Sequence, residues 1–296
     1  MFFTAGMAFL GMAKAKNVLR GYTAPKPFDI SETERCIDYD KLVIADWLQA
    51  LARYAGSSYS LAGKNILELG PGSDLGIGVL LLAAGARKYN ACDVNNLVAR
   101  TPPSFYESLL ATLPNGAGQP DLQFLRAQLQ AQRSGEPSLL NYVVKEQFDL
   151  VAACGTDTID LVFSQAAFEH FDDIDDVVRQ LTAVCRAGAI IVAEIDLKTH
   201  SRWVRDKDPN NIYRYPDTIY NAFWFRGAPN RVRPYQYSQA FERHGWTNVQ
   251  IVPRTQLQLP PALVADRFSG EHNQMQYLTV VLSATKGGAG RANGAQ

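Results

Sequence analysis

The chain has no excess of charge of either sign, few cysteines and no long hydrophobic run. Its 296 residues include 29 basic and 29 acidic side chains, and this balance argues against a nucleic-acid partner, which would require a basic surface. The four cysteines form no CxxC pair and no zinc-binding spacing, which indicates a reducing, cytoplasmic setting and no metal site. With 47% hydrophobic residues, the chain can bury the core of a large α/β domain.

The N-terminus is apolar over residues 1–13, which is shorter than the roughly 20 residues that a membrane-spanning helix needs. Lys14 and Lys16 follow this segment rather than precede it, an order that does not match a secretory signal. The favoured interpretation is a helix packed on the domain or on a second subunit, so that an oligomer is one expectation. The alternative is a peripheral membrane contact through residues 1–20, which would bring the chain to a lipid-linked substrate.

Hydrophobic periodicity predicts an α/β fold with a Rossmann-like sheet of seven mostly parallel strands flanked by helices. We expect an N-terminal helical extension over residues 1–60 and a main domain over 61–285. An aromatic loop insertion over 198–237 is predicted to form a substrate lid, and 286–296 a disordered tail. The predicted strands are Asn65–Leu69, Lys88–Asp93, 148–152, 158–164, 189–195, 246–253 and 276–284.

A glycine turn follows the first predicted strand, and an acid ends the second. Gly70 and Gly72 would let the backbone approach a nucleoside ligand closely, and Asp93 would accept hydrogen bonds from two ribose hydroxyls. The third glycine of the dinucleotide fingerprint is absent, and Glu68 precedes the turn. A carboxylate at that place would repel a diphosphate but is compatible with a sulfonium cation.

The pattern Glu68-x-Gly70-x-Gly72, followed by Asp93, resembles motif I and the acidic loop of class I S-adenosylmethionine (SAM) methyltransferases. The resemblance implies that SAM is the cofactor and that a methyl group is transferred from it by in-line displacement. It implies cofactor contacts from Glu68, Gly70, Pro71 and Gly72 at the methionine, Asp93 and Val94 at the ribose, Ala153 and Cys154 after strand three at the adenine, and Gln165 near the methyl group.

A second motif, with Glu169 and His170 after the fourth predicted strand, extends the resemblance. Over residues 63 to about 197 the chain is similar to methyltransferases of the Methyltransferase-23/11 type. His170 and His200 both follow strands, and a neutral imidazole can remove the proton of a hydroxyl nucleophile, so both are candidate catalytic bases. The alternative for His170 is a structural role at the start of the next helix. Neighbouring acids from Asp172 to Asp176 are expected to stabilise that helix rather than bind metal.

Arginines and aromatics alternate near the end of the insertion. Arg231 and Arg233 could bind a phosphate or carboxylate of the substrate, and Trp224 and Tyr235 could stack on a sugar or another ring. The alternative is a packed loop with solvated charges.

These patterns predict a SAM-dependent O-methyltransferase that acts on a hydroxyl of a small molecule or a glycan, including lipid-linked ones. One alternative is a nicotinamide-dependent oxidoreductase, against which the missing glycine and Glu68 argue. The other is a non-catalytic partner protein with the same fold.

Overall fold

The computed structural model describes residues 2–21, 29–114, 119–145, 148–261 and 263–288. The chain forms two compact units, each built from several segments. The first unit consists of Met1–Tyr22, Ala166–Val178 and Glu194–Leu282, and the second of Thr23–Gln165, Arg179–Ala193 and Ser283–Gln296.

A seven-stranded sheet has the order β3-β2-β1-β4-β5-β7-β6. Strand β1 is parallel to both β2 and β4, and β2 is parallel to β3. The order reverses between β1 and β4, as in doubly wound nucleotide-binding folds, where ligands bind at this switch point. The predicted Rossmann-like α/β fold is therefore confirmed. The strands are β1 (Asn65–Leu69), β2 (Lys88–Asp93), β3 (Leu140–Val144), β4 (Ile159–Gln165), β5 (Cys185–Asp196), β6 (Trp246–Gln256) and β7 (Tyr277–Lys286).

Ten α-helices lie within the described residues, and their ends follow local capping rules. Helix α5, for example, begins after Asp121, whose carboxylate accepts the backbone N–H groups of Gln123 and Phe124. It ends at Gly135, whose φ of 72° lies in the left-handed region that glycine tolerates. The helices are α1 (Phe2–Arg20), α2 (Thr33–Ala55), α3 (Gly76–Ala83), α4 (Pro103–Ala111), α5 (Leu122–Ser134), α6 (Leu150–Cys154), α7 (Ile174–Val184), α8 (Arg202–Arg205), α9 (Asp217–Phe223) and α10 (Pro234–Arg243).

Strand β1 is buried along its whole length, as expected for the central strand of a parallel sheet. Helices α3 and α6 pack against β2, and α5 packs against β3. The glycine turn lies between the end of β1 and the start of α3.

The prediction of strand three at residues 148–152 is wrong. Most of that segment belongs to α6, and the third strand is β3. The helix forms because the side chain of Asp149 accepts the backbone N–H of Ala152 and caps its first turn. The periodicity of a short apolar run does not show whether the run forms a strand or a helix. Ala153 and Cys154 therefore lie in a helix and do not directly follow a strand.

The start of β5 also differs from the prediction. The strand begins at Cys185 rather than at residue 189, so Gly188 lies inside it with a φ of 81°. Arg186 holds this early part of the strand by donating to the carbonyl oxygen of Asp157 and the carboxylate of Asp160.

Helix α1 packs within the first unit. The Asn211 side chain donates to the carbonyl oxygen of Phe2 at 2.9 Å, and the Tyr215 hydroxyl donates to that of Phe3 at 2.8 Å. Gly6 permits this approach, because a Cβ there would lie 1.9 Å from the Asn211 side-chain oxygen. The structure thus has the packed-helix arrangement that the sequence analysis favoured. Within the described residues, no helix is long and apolar enough to cross a membrane.

The aromatic insertion contributes a small hydrophobic core to the first unit. Many of its large side chains are therefore buried rather than displayed on a lid surface. Trp203, by contrast, is 80% exposed. Of the predicted disordered tail, residues 289–296 lie outside the described residues, and β7 extends to Lys286. The core consists of Ile212, Tyr213, Tyr215, Tyr220, Phe268 and Met275.

Candidate functional site

The glycine turn lies beside the end of β2, where Asp93 stands. Gly70 and Gly72 have φ values of 70° and 80°, which glycine adopts at no steric cost. The backbone N–H of Gly70 donates to the carbonyl oxygen of Cys92 at 2.9 Å, and the N–H of Gly72 is near enough to the Asp93 carboxylate to lower its pKa. Pro71 lies between the two glycines. The predicted cofactor residues at the ends of β1 and β2 therefore form one cradle.

Asp93 is held in a fixed orientation within this cradle. Its Oδ1 accepts the backbone N–H of Asn95 at 2.9 Å, and the side chain is largely buried. Burial raises the pKa of Asp93, while the nearby backbone N–H groups of Asn95, Val94 and Gly72 counteract that rise. Val94 itself is 40% exposed. An oriented carboxylate next to a glycine turn can accept hydrogen bonds from two vicinal hydroxyls.

Three further carboxyl groups surround the turn. Glu68 is buried, and its Oε2 accepts the Tyr89 hydroxyl at 2.6 Å. Burial is the main reason why the pKa of Glu68 rises to about 8, and the charges of Asp74 and Asp93 add to the rise. Asp40 of α2 lies next to Asp74, and burial together with their mutual proximity raises the pKa of Asp40, while burial raises that of Asp74. The second unit thus places four carboxyl groups together at the end of β1, which favours a cationic ligand.

We expect the raised pKa of Glu68 to make the stability of the free protein dependent on pH. Because this pKa is about 8 in the folded chain and about 4.3 in an unfolded one, stabilisation is complete below the unfolded value. It is lost as the pH rises through the folded value. Wild type should therefore lose up to about 4 kcal/mol more free energy of unfolding than Glu68→Gln between about pH 5 and pH 8. Urea unfolding at a series of pH values measures this difference, and parallel profiles of the two proteins would contradict it.

Helix α2 contributes two site residues that the sequence analysis did not identify. Asp40 and Trp47 lie on the same buried face of the helix as Ile37 and Val43. The Trp47 indole stacks on Phe163 and donates to the side-chain oxygen of Gln165 at 3.1 Å. Gln165, which was predicted to lie near the methyl group, is thereby oriented. A carboxyl group on an apolar helical face was the signal available in the sequence.

The residues predicted to flank the adenine lie elsewhere than expected. Ala153 and Cys154 end α6, and the carbonyl oxygen of Cys154 accepts the Thr158 hydroxyl. The residue that does follow β3 is Lys145, whose backbone N–H donates to the carbonyl oxygen of Asp93 at 2.9 Å. Lys145 therefore takes the position that the sequence analysis assigned to Ala153 and Cys154.

The first unit brings together Glu169, His170 and His200. The two imidazole rings stack with centroids 4.8 Å apart, and His200 Nε2 lies 3.9 Å from Glu169 Oε1. Burial lowers the pKa of His170 and, with the nearby charge of His170, lowers the pKa of His200 to about 4. Burial raises the pKa of Glu169 well above its usual range. The two histidines predicted as bases are thus adjacent and half-buried.

Arg231 and Arg233, predicted to bind substrate, are both buried and hold backbone carbonyl groups. Arg231 donates to the carbonyl oxygens of Ile212 and Tyr215 and stacks over Tyr220 with its Cζ 3.9 Å from the ring centroid. Arg233 is 0% exposed. Its guanidinium donates to the backbone carbonyl oxygens of Asn273, Gln274 and Tyr277. Neither matches the alternative of a solvated charge.

The four predicted substrate-binding residues do not form one surface. Trp224 and Arg231 line the same shallow pocket, together with Asp217 and Arg267. Tyr235 instead contacts the ring of His272, with centroids 4.8 Å apart. Only Trp224 and Arg231 are therefore brought together.

The acids at the start of α7 act as the sequence analysis expected. The Asp173 carboxylate accepts the backbone N–H of Asp176 at 3.0 Å, which caps the helix. Asp175 bonds Arg243 and His244 of the same unit. These contacts give Asp173 and Asp175 structural roles at the start of the helix.

The chain matches no protein-family model and no curated protein. Similar solved structures include the carbon methyltransferase CurJ, 13% identical, covering 97% of this chain and 68% of that one, with a TM-score of 0.46. An S-adenosylmethionine-dependent methyltransferase from Mesorhizobium loti is 14% identical, covering 81% and 95%, with a TM-score of 0.42. Phosphoethanolamine N-methyltransferase 2 from Haemonchus contortus, in complex with S-adenosyl-L-methionine, is 12% identical, covering 96% and 57%, with a TM-score of 0.45. Because these identities and TM-scores are low, the proposed function rests on the side chains of this chain.

Proposed function

We propose that the chain is a SAM-dependent methyltransferase. The observation that carries this proposal is the cradle of the second unit, where the Gly70–Gly72 turn is bonded to the end of β2 beside Asp93 and surrounded by further carboxyl groups. SAM needs a carboxylate for its ribose hydroxyls, close backbone approach for its methionine part and a negative environment for its sulfonium cation. The cradle supplies the first two, and the ionisation of Glu68 as the pH rises through about 8 strengthens the third.

The same groups argue against a nicotinamide dinucleotide. A diphosphate binds at helix N-termini and backbone N–H groups that are free of competing negative charge. In this chain Asp74 occupies the first backbone N–H of α3, because its Oδ1 accepts the N–H of Gly76 at 2.9 Å. A Cβ at position 76 would also lie 1.9 Å from an Asp40 carboxylate oxygen. A diphosphate at this helix end would face two carboxyl groups.

The methyl acceptor in this proposal is a hydroxyl group of a small molecule or a glycan. Methyl transfer from a sulfonium requires the nucleophile, the methyl carbon and the sulfur to be collinear. Oriented by Trp47, Gln165 is the proposed neighbour of the methyl group. The acceptor proton must also be removed, and in the first unit Glu169, His170 and His200 are the groups proposed to assist.

A lipid-linked acceptor is a further part of the proposal. Helix α1 is anchored through Phe2 and Phe3, whereas Val18 and Leu19 are 75% and 80% exposed. Exposed apolar side chains beside Lys14 and Lys16 are compatible with contact to a membrane surface.

The expected location is the cytoplasm.

Isothermal titration with S-adenosylhomocysteine (SAH) tests the cofactor. We expect micromolar binding of SAH and none of NAD⁺ or NADH by the folded chain. Because SAH lacks the sulfonium charge, SAM should bind more tightly than SAH when Glu68 is ionised, and this preference should grow as the pH rises through about 8. Binding of NADH but not SAH would contradict the proposed methyltransferase function and favour an oxidoreductase. SAH binding without methylation of any hydroxylated acceptor would favour a non-catalytic partner protein.

A further inference from the structure

A second site lies in the first unit, formed by two imidazoles and one carboxyl group. Glu169, His170 and His200 each offer one ligand atom, and these atoms all lie within 4.8 Å of one another. Glu169 and His170 form a 3-10 turn after β4, and His200 follows β5. Both strands end at the same edge of the sheet, which explains how residues distant in sequence meet.

The buried carboxyl group of Glu169 has no hydrogen-bond partner among the described residues. The side chain is 3% exposed, and neither carboxylate oxygen meets hydrogen-bond geometry with any described residue. The backbone N–H groups of Glu169 and Asp196 are near enough to affect its pKa, but they fall outside that geometry. An unpaired buried carboxyl group costs free energy. A cation in contact with Glu169 would remove this cost.

One ring nitrogen of His170 makes a hydrogen bond of the kind that metal-bound histidines make with the nitrogen that does not bind the metal. Its Nδ1 lies 2.7 Å from the carbonyl oxygen of Gly227. Because a carbonyl oxygen only accepts hydrogen bonds, Nδ1 carries the proton and Nε2 keeps its lone pair. Metal-ligating histidines characteristically donate the second ring N–H to a carboxylate or a carbonyl oxygen, which fixes the tautomer and the ring orientation.

His200 completes the set of donors. Its Nε2 lies 3.9 Å from Glu169 Oε1, and its ring stacks on that of His170. Nitrogen and oxygen ligands at about 2.1 Å from a tetrahedral ion are about 3.4 Å apart. The two side chains therefore need to approach each other only slightly to bind the same ion.

We propose that Glu169, His170 and His200 bind a divalent transition-metal ion, with zinc as the best match. Two imidazoles and one carboxylate suit zinc and ferrous iron, whereas magnesium prefers oxygen ligands only. Three protein ligands leave a coordination position open, and a water molecule or hydroxyl bound there becomes more acidic. The imidazoles then act as ligands, in place of the general-base role expected from the sequence. The binding of an acceptor hydroxyl at the open position rests on the proposed function, whereas the metal site itself does not.

Titration of the chelator-treated full chain with Zn²⁺ tests the proposal. We expect one equivalent to bind with submicromolar affinity, and Co²⁺ to give the visible absorption of a tetrahedral site. Fe²⁺ under anaerobic conditions and Mn²⁺ serve as competing probes, and Mg²⁺ should not bind. X-ray absorption of the zinc-loaded wild type should show two imidazole ligands, a result that does not depend on any variant folding.

Glu169→Gln and His200→Asn should each weaken Zn²⁺ binding at least about 100-fold, since loss of outer-shell contacts alone costs about 10- to 100-fold. His272→Asn is the matched control, because His272 is an exposed histidine of the same unit and should leave the affinity unchanged. No Zn²⁺, Co²⁺ or Fe²⁺ binding by wild type, or equal binding by wild type and both site variants, would overturn the proposal. SAH titration of the same samples separates the two claims, because metal binding without SAH binding would contradict only the proposed function.

Discussion

Replacement of Asp93 by alanine is expected to weaken SAH binding about 100-fold. In the wild type, the carboxylate is held by the backbone N–H of Asn95 and can accept both ribose hydroxyls. Two hydrogen bonds to a charged acceptor contribute about 3 kcal/mol together, and each 1.4 kcal/mol corresponds to about tenfold in affinity. Isothermal titration of purified Asp93→Ala with SAH measures the loss.

Two further variants make this result specific. Asp93→Asn keeps the shape of the side chain but loses its charge and one acceptor, so its affinity should fall about tenfold. Asp38→Ala removes an exposed carboxyl group from α2 and should bind SAH as wild type does. Thermal unfolding of each variant checks that it is folded. If Asp93→Ala binds SAH within about threefold of wild type, the ribose is held by other residues.

The sequence predicted the centre of the fold well, because there the local pattern and the tertiary structure agree. The bounds of β1 and β2 were predicted correctly, since each is a short apolar run limited by a loop and a turn. Their placement beside each other followed from the parallel βαβ pattern. Gly70, Gly72 and Asp93 were consequently expected at one edge of the sheet, where the structure places them.

Features that depend on tertiary contacts could not be predicted in this way. The rest of α2 and the whole of β1 separate Asp40 from Asp74 in the sequence, and the two side chains meet only after α2 has packed on α3. The helix α6 was mistaken for a strand because the cap at Asp149 outweighs the β-propensity of a short apolar run. A single sequence does not reveal which of these local effects prevails.

The arginines of the insertion illustrate a different limit. An arginine that binds a substrate phosphate and an arginine that holds backbone carbonyl groups have the same residue type and the same aromatic neighbours in sequence. Burial distinguishes the two roles, and burial depends on the core that Tyr213 and Tyr215 form. Arg231 and Arg233 pack against this core, which the sequence pattern did not indicate.

Replacement of Arg233 by methionine should therefore reduce the free energy of unfolding strongly. The guanidinium donates to the carbonyl oxygens of Asn273, Gln274 and Tyr277, at distances of 2.9, 2.7 and 3.2 Å. It also lies over Tyr213, with Cζ 4.8 Å from the ring centroid. Methionine fills much of the same volume but leaves these carbonyls without their donor in a buried place. We expect a loss of about 4 kcal/mol, measured by urea unfolding.

Arg243→Ala provides the matched control, because Arg243 is exposed and pairs with the exposed carboxylate of Asp175. Such a surface pair contributes at most about 1 kcal/mol, so the control should unfold almost as wild type does. If Arg233 instead bound substrate in an open pocket, Arg233→Met would leave the free energy of unfolding within about 1 kcal/mol of wild type and would raise only the KM for the acceptor. A large loss of stability with unchanged SAH affinity of the folded fraction is the result that a purely structural role for Arg233 requires.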